Sequence, residues 1–72
     1  MAAEEREDLS FVWDAVKMLP VTYREVIHLY YEEGYATAEI AKLLGRKEAT
    51  VRSDLRRARE KLMELLQEEV EL

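Results

Sequence analysis

The sequence predicts an all-α domain of four helices, and three observations carry that expectation. Apolar residues recur at intervals of three and four along most of the chain, with no run of strict alternation that would mark a strand. The one proline and the two glycines fall between these periodic segments, where helices end. There is no cysteine, so a chain of 72 residues is held by helix packing alone, without disulfides or a thiolate metal site. That length allows one small domain over 1–72 and no second one.

Leu9, Val12, Val16 and Leu19 mark the first helix, a single apolar stripe with Phe11 and Trp13 beside it, and Pro20 ends it. Thr22 and Glu25 have the spacing of a capping box, so a second helix is expected to start there, with Tyr23, Val26, Ile27 and Tyr30 on its buried side. Gly34 is placed to close it in the left-handed conformation. Ala36 or Thr37 then opens a short third helix of about two turns, whose apolar face is Ile40, Ala41, Leu43 and Leu44. Gly45 stops it, which leaves Gly45, Arg46 and Lys47 as a tight connection.

The last helix is expected to begin near Lys47 or Glu48. At about 100° per residue, Leu55, Ala58, Leu62 and Leu65 all lie within about 40° of Val51, a continuous inward stripe. Ala49, Ser53, Arg56 and Glu60 lie opposite. Arg52 and Arg59 flank that outer face on one edge and Arg57 on the other. Asp54, about 60° from the stripe, is placed to pair with Arg57 three residues on.

Charge is distributed very unevenly. The chain carries a net −5, yet the segment 46–61 alone holds seven basic residues (Arg46, Lys47, Arg52, Arg56, Arg57, Arg59, Lys61) against three acidic ones. One segment is therefore suited to an anion, inside a molecule that phosphate repels at long range. The connection before it has the composition of a helix-turn-helix, expected over about 37–62. Ala41 allows close approach, Gly45 takes a positive φ, and Val51 anchors the second helix in the core. Together these predict a winged-helix-like DNA-binding topology without a wing. Ser53 and Arg56 are central on the outer face and are the candidates for base edges. Arg46, Lys47, Arg52, Arg57 and Arg59 are candidate phosphate contacts, and Thr50 is either a phosphate contact or a local cap.

Other functions find less support. Trp13, Tyr23, Tyr30, Tyr31 and Tyr35 sit at helical spacing beside aliphatic residues and read as core and rim rather than base-stacking platforms. His28, the only histidine, has no second histidine or cysteine with which to hold a metal and no nucleophile to activate. No enzyme activity, cofactor or metal is expected. The stretch Glu64 to Glu71 reads as a solvated acidic helix end, with a phosphate mimic as the alternative. No apolar run is long enough to span a bilayer, and the N-terminus is acidic where a signal peptide is basic, so a cytoplasmic protein is expected.

Several blocks taken together resemble region 4 of bacterial sigma factors of the sigma-70 family, most closely the extracytoplasmic-function type. They are Leu19-Pro20, Tyr23-Arg24-Glu25-Val26-Ile27, Glu39-Ile40-Ala41-Lys42-Leu43-Leu44-Gly45, Thr50-Val51-Arg52-Ser53 and Arg57-Ala58-Arg59. The resemblance implies that the last helix docks in the major groove of the −35 promoter element and that a neighbouring surface meets the β-subunit flap of RNA polymerase. It departs from the family pattern at Ala36 and Lys47, where serines are usual, and at Asp54, where many relatives carry a basic residue. No region 2 is present, so the chain is either a fragment of a sigma factor or a stand-alone region-4-like protein. Two alternatives stay open: a response-regulator helix-turn-helix domain, and a protein-interaction module occupied by an anti-sigma factor.

Overall fold

The computed structural model describes residues 9–70, and side chains as far as Gln67. Four α-helices follow in order: α1 Ser10–Val16, α2 Val21–Ile27, α3 Thr37–Leu44 and α4 Glu48–Val70. There is no strand, and hence no wing, among the described residues. The acidic N-terminal stretch and the side chains of Glu68, Glu69 and Glu71 in the acidic tail lie outside the described residues.

α1 ends at Val16, four residues before Pro20. Its last turn tightens, with the Met18 amide donating to Ala15 O and the Leu19 amide to Val16 O, both at 3.0 Å. Leu19 is thereby turned into the core, as the apolar stripe predicts. The Arg24 guanidinium donates to the Lys17 carbonyl at 3.0 Å, satisfying an acceptor that the helix end leaves open.

α2 starts without the expected capping box. Pro20 is itself the cap residue, at φ −54° and ψ 151°, and its carbonyl accepts from the Arg24 amide at 2.9 Å. Its ring fixes the entry conformation, which puts Thr22 inside the first turn where it cannot cap, and frees Glu25 for another partner. After Ile27 the backbone widens into a π-turn over His28–Glu32, closed by the Glu33 amide on His28 O at 3.0 Å. A π-turn adds a residue to the helical repeat and shifts the phase of everything after it. Tyr30, expected on the buried side, is therefore exposed, and Leu29 packs against the core instead. Gly34 follows at φ 81°, and the Tyr35 amide reaches back to Leu29 O.

Ala36 caps α3 with its backbone only, in an extended conformation, and Glu39 Oε1 accepts from the Ala36 amide at 2.8 Å. That is the half of a capping box that an alanine permits. The Thr37 hydroxyl donates to Glu48 Oε2 at 2.8 Å, which ties the first turn of α3 to the first turn of α4. Gly45, at φ 67°, ends α3 with the Arg46 amide on Ala41 O at 2.9 Å and its own amide on Lys42 O. Leu43 does not join the apolar face: it is exposed, because it lies about 60° from Ile40 on the side away from Ala41 and Leu44.

The core is a single cluster in which Ile40, Val26 and Val51 are fully buried and Val16, Leu19, Ile27 and Leu55 nearly so. α4 runs across α2 and α3 and supplies Val51, Leu55 and Ala58, with Leu62 and Leu65 at the margin. Burying each such aliphatic side chain contributes about 1.5–3 kcal/mol, so this cluster is what fixes α4 against the body.

Candidate nucleic-acid interface

α3, the turn at Gly45 and the first turns of α4 form the helix-turn-helix. Ala41 and Val51 are buried, as their roles as close-approach residue and anchor require. With the inward stripe of α4 held in the core, its opposite side is turned to solvent. Lys47, Thr50, Arg52, Arg56 and Arg57 are exposed there, and Ser53 is half-buried between them. The Lys47 carbonyl accepts from the Val51 amide at 3.0 Å, so Lys47 occupies the cap position of the helix and projects a cation beside its N-terminus.

The charges on this face are only lightly committed. Arg52 meets Glu48 at 2.9 Å and Arg56 meets Glu60 at 4.0 Å, each one turn apart along the helix, with both arginine side chains 60% exposed. Ion pairs this exposed are worth at most about 1 kcal/mol and yield readily to a phosphate. Lys47 and Arg57 make no ion pair among the described residues.

Two of the expected phosphate contacts are engaged within the protein. Arg46 is half-buried between two carboxylates, with Nη2 at 3.1 Å from Glu25 Oε1 and Nη1 at 3.5 Å from Asp54 Oδ2. This corrects the expected pairing of Asp54 with Arg57. Asp54 is buried, and it turns toward the connection rather than along the helix, because Arg46 offers a partner at the depth where its carboxylate sits. Arg59 donates from Nη1 to the Tyr31 hydroxyl, in the π-turn after α2, at 3.0 Å. Glu25, Tyr31 and Glu48 are thus parts of the site that carried no signal in the sequence. Arg46, Arg59 and Thr37, which they meet, lie 21, 28 and 11 residues away, beyond any local periodicity, although Glu48 also pairs with Arg52 one turn on.

Arg59 also stands at the rim of a groove of about 450 Å³ between α1, α2 and α4, lined by Leu9, Val12, Trp13, Val16, Ile27, Tyr31, Leu62 and Met63. Next to it His28 stacks on Trp13, with ring centroids 5.1 Å apart, and its Nδ1 lies 2.6 Å from Glu32 Oε1. The histidine is therefore partnered on its face and at one nitrogen. No cluster of potential metal ligands occurs among the described residues, and none of their helices is long and apolar enough to cross a membrane.

An apolar anchor, a left-handed glycine turn and an exposed cationic helix face on an all-helical body define a helix-turn-helix DNA-binding module. The family model described as "Sigma-70, region 4" matches residues 12–62, from α1 to the middle of α4, and the chain belongs to that family. A protein of Xanthomonas campestris pv. campestris named "probable RNA polymerase sigma factor RfaY" is 43% identical over 56 residues. The matched part covers 78% of this chain and 13% of that protein, so the chain spans about an eighth of the relative's length. Region 4 is a DNA-binding part of sigma factors.

Proposed function

We propose that this domain recognises the −35 promoter element as region 4 of a sigma factor of the extracytoplasmic-function type, bound to RNA polymerase in the cytoplasm. The observation that carries the reading is the exposed cationic face on the first three turns of α4, directly after the turn. With α4 in the major groove, Ser53 and Arg56 meet base edges while Lys47, Thr50, Arg52 and Arg57 contact flanking phosphates. Arg59 joins them when it leaves Tyr31. The groove under Arg59 is the apolar surface suited to the polymerase β flap, and an anti-sigma factor competes for the same two faces. No catalytic step and no cofactor are assigned to the domain.

A single module of this size buries about 600–1,000 Å² on DNA, and the chain as a whole is acidic, so isolated binding is weak and polymerase delivers the domain to its site. The test is fluorescence anisotropy with labelled promoter duplexes, for the wild type and Arg56→Ala. Three to five neutralised phosphates correspond to a slope of log K against log salt of about −2.7 to −4.5. A slope near zero refutes direct DNA binding. A parallel titration with the isolated β flap, for the wild type and Leu62→Glu, tests the groove. Binding to protein without binding to DNA favours the interaction-module reading instead.

A further inference from the structure

Asp54 sits on the reading helix, one turn from Thr50 and next to Ser53, where a free carboxylate would oppose the approach of phosphate. The structure shows how that charge is contained. Arg46, from the connection, reaches Asp54 on α4 and Glu25 on α2, so one guanidinium joins the turn, the reading helix and the body of the domain. Its two terminal nitrogens are used on separate carboxylates, its side chain is 26% exposed, and that of Asp54 is 12% exposed. The planar guanidinium meets the two carboxylates from separate nitrogens held in a fixed geometry, where a lysine would have to reach both from one nitrogen.

We infer that Arg46 is the positioning residue of the DNA interface: it neutralises Glu25 and Asp54 and fixes the start of α4 against α2, and it does not contact phosphate. This rests on the DNA-binding reading above and gives Arg46 a role distinct from that of Lys47, its exposed neighbour. The cluster of Glu25, Arg46 and Asp54 carries a net −1; without the arginine it carries −2. At about 10 Å in water one carboxylate repels one phosphate enough to change binding about twofold. With more than one phosphate inside a Debye length of about 10 Å, Arg46→Met weakens DNA binding about fivefold.

The decisive comparison is between Arg46→Met and the double variant Arg46→Met/Asp54→Asn. The double variant returns the cluster to −1 without returning the guanidinium. Anisotropy is measured with a labelled mixed-sequence duplex across a salt series, on the full chain, with far-UV circular dichroism giving the folded fraction. The expected result is a loss of about fivefold for Arg46→Met that shrinks as salt screens it, and recovery to within about twofold of wild type, with the wild-type salt slope, in the double variant. A phosphate contact would instead lower the slope by about one in both variants, with no recovery, and that result overturns the inference. So does wild-type affinity in Arg46→Met. Should Arg46→Met fail to fold, the double variant decides by itself: wild-type affinity and slope support the neutralising role without a phosphate contact, and a slope lowered by one refutes it. Arg56→Ala is measured alongside. If the wild type has no salt slope and Arg56→Ala binds as well as it does, the DNA-binding reading itself fails and takes the role of Arg46 with it.

Discussion

Replacing Ile40 with alanine removes three carbon atoms from the centre of the core cluster, at a side chain with no exposed surface. The lost transfer free energy is about 2.4 kcal/mol at about 0.8 kcal/mol per methylene-sized group. The space vacated, about 80 Å³ if the site does not collapse, adds about 2 kcal/mol at about 24 cal/mol per Å³. The sum, about 4 kcal/mol, equals the whole stability of about 3–5 kcal/mol that a core supplies in a domain this small. Ile40→Ala is therefore expected to be largely unfolded at 25 °C, and Ile40→Val, at about 1 kcal/mol, to remain folded. Urea titration followed by far-UV circular dichroism reads this directly. With a slope of about 1 kcal/mol per molar, the midpoint of Ile40→Val falls by about 1 M and Ile40→Ala shows no native baseline. A midpoint for Ile40→Ala within 1 M of wild type would refute the view that this side chain is the main tie of α3 to the core.

Gly45→Ala meets no atom within 4 Å of the added Cβ, so its whole effect is the left-handed backbone at φ 67°; it is expected to lower stability by about 1–2 kcal/mol, measured as a urea midpoint shift of 1 M or more, and Gly45→Asn by less. Lys47→Ser supplies an acceptor at the cap of α4, so it is expected to raise stability by about 1 kcal/mol while it removes a proposed phosphate contact and lowers the salt slope of DNA binding by about one. A variant that gains stability and keeps its slope would show that Lys47 does not touch DNA.

The departures from the sequence-based expectation are few and have a common form. Thr22 and Glu25 have the spacing of a capping box, but Pro20 already caps α2, and Glu25 turns to Arg46. Asp54 has Arg57 one turn ahead of it, yet the arginine that reaches it comes from the connection. Tyr30 stands in phase with Val26 and Ile27 until the π-turn shifts it out. In each case a pattern of local spacing was met by a competitor that spacing does not reveal.

What the sequence by itself determined is the set of elements and their inward faces: the stripe Val51, Leu55, Ala58 is buried, Gly45 ends α3 in the left-handed region, and the basic residues of α4 fall on the side opposite the stripe. Those follow from the fixed turn of about 100° per residue and from glycine's lack of a Cβ, which are properties of the local chain. The tertiary structure decided which of the basic residues are available. Arg46 and Arg59 look equivalent to Arg52 and Arg56 in composition and spacing, but α2 and the π-turn after it bring Glu25 and Tyr31 within hydrogen-bond reach of the first two and of neither of the others. A guanidinium takes the nearest well-placed acceptor; for Arg52 and Arg56 that is a glutamate one turn along the same helix, and for Arg46 and Arg59 it depends on how separate parts of the chain pack.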